Sequence, residues 1–389
     1  MNDKPLFFTD YGAAYCGDSL KLIEQLDDNS VDLVITSPPF ALLRQKEYGN
    51  ESQDEYVEWL GLFASKIFPK IKDSGSFVLD LGGAYQKGKP IRSLYNFRVL
   101  LHFCDTIGYK LAEEFYWFNP SKLPSPIEWV NKRKIRAKDS VNTVWWFSKT
   151  DNPKSDVRKV LAPYSERMKK LIKDPERFYT PKRRPSGHDI SSSFGNDNGG
   201  AIPSNLLQIS NSESNGQYLS YCKKFGIKAH PARFPHKLPE FFVKMLTDEG
   251  DYVVDIFGGS CTTGEVCDKL KRKWSCFELN KDYLAAASFR FIPSDVDDDC
   301  VKAIYNIISS GEGLKYKFSS ITNVVDIDNR VIKLLFFPSL NQNILNRLFR
   351  FQLAENCNLI LAPHPPVWLA GIVHIPFPLY QSRHDRAND

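Results

Sequence analysis

The tetrapeptide Ser37-Pro38-Pro39-Phe40 closes the apolar run Val31-Asp32-Leu33-Val34-Ile35-Thr36. Two successive prolines at the mouth of a strand carry no N–H, so the turn presents a stiff wall of carbonyls. Ser37 adds a hydroxyl and Phe40 an aromatic face. Such a set can hold the amine-bearing edge of a flat ring and stack on its plane. Far downstream, Asp255-Ile256-Phe257-Gly258-Gly259-Ser260-Cys261-Thr262-Thr263-Gly264 reads as a strand opening into a glycine-rich turn and then a helix. Glycines let a ligand approach the backbone, and a helix start offers unpaired N–H groups, which suits a nucleotide-like cofactor. The spacing is neither Gly-x-Gly-x-x-Gly nor that of a P-loop, which weakens a phosphate reading. Glu278, 23 residues past Asp255 and at the end of the next strand, is placed to accept both hydroxyls of a ribose. Either turn alone also fits a purely structural role. Together they point to an enzyme that acts on a base.

Helices alternating with short apolar runs must position these groups, and that alternation predicts an α/β sheet. Helical spacing is present over 19–26, with Asp18 or Ser19 as cap, and again over 53–68, 97–108, 239–246, 264–272 and 281–291. Strands are expected at 31–35, 76–81, up to Phe118, 144–147, 252–257 and 274–279. The run at 31–35 is almost wholly apolar, as a strand buried on both faces would be. Between 150 and 225 the chain turns polar and rich in Ser, Asn, Gly and Pro, the character of an inserted recognition region. The expected divisions are 1–149, a catalytic half; 150–225, target recognition; 226–294, a cofactor half; and 295–389, an appendage. The appendage has a β-like run at 331–337, a helix-like segment at 343–354, and His364-Pro365-Pro366 and His374 in loops.

Bulk properties are those of an ordinary globular chain: 389 residues, 42% hydrophobic, 25% charged, and a formal charge of +5. That charge is too small to argue for a polyanionic partner, so local clusters must carry the case. Asn131-Lys132-Arg133-Lys134-Ile135-Arg136-Ala137-Lys138 holds five basic residues, and Lys182-Arg183-Arg184 forms a second cluster. The eight cysteines include no Cys-x-x-Cys pair, which predicts free thiols in a reducing cytoplasm and no metal site. The start Met1-Asn2-Asp3-Lys4-Pro5 is unlike a signal peptide, and no apolar stretch is long enough to cross a membrane.

Taken in order, these motifs resemble those of the amino-group DNA methyltransferases, most closely the cytosine-N4 enzymes of bacterial restriction–modification systems. The likeness covers roughly residues 11–290. Ser37-Pro38-Pro39-Phe40 is similar to the family's catalytic motif. Asp255 to Ser260 with Thr262-Thr263 is similar to its methionine-side cofactor motif. His230-Pro231-Ala232-Arg233-Phe234-Pro235 resembles the segment that closes over the methionine end, and Gly17-Asp18 the element on the adenine side. The resemblance implies a Rossmann-like, circularly permuted, mostly parallel sheet with an inserted target-recognition region, and S-adenosylmethionine as cofactor. It assigns the ribose to Glu278, the adenine side to Asp18, and the amino-acid moiety to Phe257-Gly258 with His230 and Phe234 nearby. It also implies double-stranded DNA as substrate, a bacterial cytoplasmic monomer, and a cognate restriction endonuclease as a functional partner only.

Within that resemblance Ser37 favours cytosine, because adenine-N6 enzymes commonly carry an acidic residue or Asn there and Tyr in place of Phe40. Cys261 departs from the family's glycine and is expected to pack against a tolerant backbone. Asp80 either lines the pocket or caps the next segment. The basic clusters fit phosphate contacts, with base reading left to 150–225, His188 and Asp189 among its candidates. Rival readings are adenine-N6 methylation, a DNA-binding scaffold with a vestigial pocket, and a methyltransferase of RNA or protein.

Overall fold

The computed structural model describes residues 1, 3–41, 55–178, 195–212, 216–294, 296–311, 314–319, 322–327, 330–336 and 359–362. Lys182, Arg183, Arg184, His188, Asp189, the segment 343–354, His364, Pro365, Pro366 and His374 lie outside these residues.

The main unit runs from Met1 to Val331. Its first half comprises β1 (Phe7–Phe8), β2 (Gly12–Cys16), α1 (Ser19–Glu24), β3 (Val31–Thr36), α2 (Tyr56–Ile67), β4 (Ile71–Leu81), α3 (Tyr95–Leu101), β5 (Lys110–Phe118) and β6 (Val141–Ser148). The polar stretch supplies α4 (Glu166–Lys173), α5 (Pro175–Phe178), β7 (Leu206–Gln208) and α6 (Gln217–Phe225). There follow α7 (Lys237–Leu246), β8 (Tyr252–Asp255), α8 (Thr262–Lys269), β9 (Lys273–Glu278), α9 (Lys281–Ala287), α10 (Asp298–Ser310), β10 (Leu314–Ser319) and β11 (Thr322–Ile327).

The strands of this unit join in the order β11-β10-β1-β2-β9-β8-β3-β4-β6-β5-β7. The central five, β2, β9, β8, β3 and β4, are parallel, and β6 runs antiparallel between β4 and β5. Strand β3 is buried at all six positions, as its apolar run requires. Its one charge, Asp32, accepts from Lys72 Nζ at 2.8 Å and from the Tyr252 N–H at 2.9 Å, so the carboxylate is partnered where it enters the sheet. Pairing of Leu33 with Val253 and Val34 with Val254 makes β3 and β8 neighbours. Both motif-bearing turns therefore leave the same edge of the sheet, at the point where strand order reverses and α/β sheets bind ligands.

Several boundaries differ from those expected. The helix expected over 97–108 starts at Tyr95 and passes at His102–Ile107 into a wider π turn, ended by Gly108 at φ +101°. The compact unit extends past 294, because α10 buries Cys300, Val301, Ile304 and Ile308 and β10 pairs in parallel with β1. Strand β12 (Arg330–Phe336) leads into a second unit, Ile332–Asp389, where it pairs in parallel with β13 (Leu359–Ala362), Lys333 opposite Leu359.

Candidate active site

The end of β3 delivers Ser37 beside the end of β4. Ser37 Oγ donates to Asp80 Oδ2 at 3.0 Å, and Asn142 Nδ2, from β6, donates to Asp80 Oδ1 at 3.1 Å. Burial pushes the Asp80 carboxyl up to about 6, against the opposing pull of Asn142, Ser37 and the Lys122 charge. Asp80 lines the cavity, one of the two roles its position left open. The Pro39 carbonyl is taken by the Tyr56 hydroxyl at 2.8 Å, whereas the Pro38 carbonyl accepts no hydrogen bond among the described residues. Phe40 has room because residue 82 is glycine: a Cβ there would stand 2.5 Å from Phe40 Cε2. The result is a stacking face, a carbonyl unpaired among the described residues, and a hydroxyl whose proton is committed to a carboxylate.

Strand β8 ends at Asp255, which is buried and fully engaged. It accepts from Thr36 Oγ1 at 2.7 Å, Thr263 Oγ1 at 2.6 Å and the Phe257 N–H at 3.1 Å. Asp255 and Thr263, expected among the cofactor contacts, are absent from the cavity lining; they bind one another and pin the turn to β3. The turn itself is a cradle. Gly259 sits at φ +51°, and a Cβ on it would crowd the His230 ring at 3.3 Å. Its N–H donates to Glu278 Oε2 at 2.9 Å, while the Asn280 N–H donates to Oε1 at 2.8 Å, so the carboxylate is fixed in orientation. Burial raises the Glu278 pKa above the usual carboxylate value. Burial also lowers the His230 pKa to about 4, so its imidazole is neutral at physiological pH and its Nδ1–H donates to the Ala232 carbonyl. Asp18 caps α1 by accepting from the Leu20 N–H at 3.0 Å, and Ser19 Oγ donates to the Ile256 carbonyl at 2.7 Å.

Cys261 is a correction. Its backbone is left-handed, at φ 55° and ψ 37°, and its side chain is fully buried at the start of α8. The backbone is thus not tolerant there: the position keeps the conformation that favours glycine, at a cost of about 1–2 kcal/mol for an L-residue.

One cavity of about 940 Å³ unites the two halves. Ser37, Pro38, Pro39 and Phe40 line it with Asp80, and facing them are Asp18, Phe257, Gly258, Gly259, Ser260, Thr262, Glu278, His230 and Phe234. A shallower groove of about 580 Å³ beside Gly12, Tyr252 and Lys273, at the opposite strand ends, holds none of these groups. The main cavity also takes residues that sequence reasoning passed over. Trp59 and Phe63 of α2 lie with ring centroids 5.6 and 4.9 Å from that of Phe257 and form an apolar wall. Lys122, Asn142, Asn211, Tyr218 and Arg290 add polar groups to the lining, beside Arg233 of the segment 230–235. Trp59 and Phe63 fall in the helix expected over 53–68, whose spacing gave no sign of a place in the cavity.

The basic run 132–138 is exposed, outside the cavity, on the connection between β5 and β6. Lys132 pairs with Glu128 at 3.3 Å, and the Arg133 guanidinium lies 5.2 Å from the Trp129 ring centroid. Arg136 Nε donates to the Pro90 carbonyl at 3.0 Å, and Lys138 Nζ to the carbonyls of Pro120 and Lys122 at 3.0 and 3.2 Å. Lys134 is left-handed at φ 54°.

Residues 31–289 match the family model described as DNA methylase, a range that spans both turns. The chain belongs to the DNA methylases. By sequence, the methylase is 65% identical over 311 residues to the type II methyltransferase M.PvuII of Proteus hauseri, covering 80% of this chain and 93% of the relative. It is 26% identical over 286 residues to the type II methyltransferase M.ScaI of Streptomyces caespitosus, covering 73% and 82%. Superposition on the solved structure of PvuII DNA methyltransferase (cytosine-N4-specific) gives a TM-score of 0.67 at 55% identity, covering 80% of this chain and 97% of that one. The cofactor of the methylase is S-adenosylmethionine, and the Cβ-free cradle at Gly259 beside the oriented Glu278 carboxylate fits its nucleoside. Among the described residues no helix is long and apolar enough to cross a membrane.

Proposed function

We propose that the methylase transfers the methyl group of S-adenosylmethionine to the exocyclic N4 amine of cytosine within a specific duplex DNA sequence. The observation that carries this reading is the Asn142–Asp80–Ser37 chain beside the Pro38 carbonyl, in one cavity with the glycine cradle. Similarity to a cytosine-N4-specific enzyme over most of both chains supports it.

The amine is a poor nucleophile because its lone pair is delocalised into the ring. Pro38 O and Ser37 Oγ accept its two hydrogens and favour the pyramidal, more nucleophilic nitrogen, so they stabilise the transition state more than the ground state. When bound, S-adenosylmethionine would supply an electrophilic methyl group, its sulfonium keeping the electron pair of the broken carbon–sulfur bond and leaving as a neutral thioether. As nitrogen gains that carbon, its proton moves to Ser37 Oγ while the serine proton moves to ionised Asp80. Asn142 keeps the carboxylate turned toward Ser37. Phe40 stacks on the base, which must first leave the duplex. The other cofactor contacts are Asp18, Phe257, Gly258, Gly259, Ser260, Thr262, Glu278, His230 and Phe234, with Asp255 and Thr263 positioning the turn.

For DNA, we assign phosphate contacts to Lys132, Arg133, Lys134, Arg136 and Lys138, with Lys182, Arg183 and Arg184 as a second cluster, and base reading to 150–225. The reading includes a monomer in the bacterial cytoplasm, acting alongside a cognate restriction endonuclease that it does not bind. The test is transfer of labelled methyl to unmethylated bacterial DNA, followed by nucleoside mass spectrometry. N4-methylcytosine is expected. N6-methyladenine would overturn the choice of base and leave the fold and pocket intact.

A further inference from the structure

The connection between β5 and β6 contributes Asn119, Lys122 and Ser140 to the lining of the main cavity. It is tied down on both sides of a two-residue tip. On one side the Asn119 N–H donates to the Ser140 carbonyl at 2.9 Å, and the Lys122 N–H to the Asn119 carbonyl at 3.2 Å. Lys138 Nζ holds the Lys122 carbonyl at 3.2 Å. On the other side the Asp139 N–H donates to the Ser125 carbonyl at 3.0 Å. Leu123 and Pro124 lie between these anchors. Pro124 fixes its own φ, and its ring biases Leu123 toward extended backbone, so the tip is stiff as well as short.

Leu123 is 80% exposed, more than any other large apolar residue among the described ones, and Ile127 on the same connection is 61% exposed. A leucine in water is ordinary by itself, since much of any protein surface is apolar. The setting of this one is not. Its Cα stands about 3.8 Å from that of Lys122, a cavity-lining residue. The Lys122 charge acts on Asp80, so the tip sits at the end of the cavity where Ser37 and Asp80 meet. The exposed cations Lys132 and Arg133 stand on the same connection. An apolar tip among cations complements one partner in particular. Duplex DNA carries its phosphates outside and stacks apolar ring faces within.

We propose that Leu123 is a wedge, which enters the base stack as the target cytosine leaves for the cavity and fills the space it vacates. An apolar side chain inserted between base steps offsets part of the cost of unstacking and unpairing. The stiff tip suits that role, because little conformational freedom is lost when it inserts. The wedge and Phe40 then act on opposite sides of one event: Leu123 holds the duplex open and Phe40 holds the base that has left. The proposal rests on the reading that the cavity receives an extruded base.

The experiment is single-turnover methylation by the whole chain, at saturating S-adenosylmethionine, on two duplexes that carry the site mapped by labelled methyl transfer. In one the target cytosine is paired with guanine. In the other it faces an abasic position, so no pair has to be broken. Each variant is compared with the native chain on the same duplex. Leu123→Ala is expected to slow the paired duplex roughly ten- to hundredfold and the abasic duplex by no more than about threefold. Leu123→Met, which keeps the apolar bulk, should retain most of the native rate on both. Equal slowing of the two duplexes by Leu123→Ala overturns the wedge and leaves the tip as a brace for Lys122. No slowing on either overturns it too, as does a loss in Leu123→Met equal to that in Leu123→Ala. The native chain alone checks the underlying reading: no fluorescence rise from 2-aminopurine at the target position means that no base leaves the duplex, and the wedge falls with it.

Discussion

Ser37 and Asp80 meet across the ends of neighbouring parallel strands, hydroxyl to carboxylate at 3.0 Å, although 43 residues separate them in the chain. The serine proton is committed to Asp80, so the lone pairs of Ser37 are what remain for a substrate amine. Ser37→Ala removes an acceptor needed only as the amine pyramidalises. Turnover should fall by roughly a hundredfold or more, with cofactor affinity unchanged by calorimetry. Equal losses in both would refute a specifically catalytic serine.

Asp80 gives the reaction a pH signature. Its pKa is raised to about 6, and the reactive form is the ionised one. Turnover at saturating substrates should therefore fall about tenfold per unit below that value and level off above it. The raised pKa also means that the buried carboxyl favours the native state when protonated. That favour is present at pH below the unfolded value and is lost as pH rises through the folded value near 6. At pH 7.5 the ionised group thus costs stability, on the order of 3 kcal/mol for a shift of this size. Asp80→Asn should raise the unfolding midpoint at pH 7.5 while abolishing the acid limb and most activity. A lower midpoint at that pH would show that the carboxylate is well compensated.

Phe40 lies over the bare Gly82, facing the cavity. Phe40→Ala should weaken retention of the extruded base, lowering the fluorescence rise of 2-aminopurine placed at the target position. An unchanged rise would place the stacking surface elsewhere.

Gly259 combines φ +51° with contact to the His230 ring and an N–H bond to Glu278. Gly259→Ala is expected to cost about 1–2 kcal/mol of stability for the left-handed backbone alone. It should also weaken S-adenosylmethionine binding, because the cradle and the Glu278 orientation move together. Thermal melts with and without cofactor separate the two effects.

How far the sequence carried this picture depends on the range of the interaction. Strand β3 and the glycine turn were legible because a fully apolar run and a strand–turn–helix signal are local. Strand β7 was not, since an edge strand of three residues shows no alternation. Asn142 reaches Asp80 only through strand pairing that no residue spacing reveals. Asp255 and Thr263 resembled ligands because polar groups beside a glycine turn often are, yet the fold uses them on each other. Arg290 braces the glycine turn from 30 residues away, through the Ser260 carbonyl, a contact that no local spacing reveals. Cys261 shows the limit most plainly: side-chain type gave no sign that its backbone is left-handed.

The basic run between β5 and β6 divides into two kinds of cation, and that division yields a graded test. Arg136 and Lys138 also donate to backbone carbonyls at 3.0 Å, where they brace the connection that carries Lys122 to the cavity. Lys132 and Arg133 are exposed, on a surface pair and an aromatic ring, and surface pairs of that kind add little to stability. Lys132→Ala and Arg133→Ala should weaken binding to every duplex alike, each reducing the slope of log affinity against log salt by about one. Lys138→Ala should instead loosen the connection, lowering turnover through displacement of Lys122 with a smaller change in salt slope. Filter binding across a salt series, on cognate and scrambled duplexes, measures both. A loss at Lys132 or Arg133 confined to the cognate duplex would mean that these side chains read bases and do not hold phosphate.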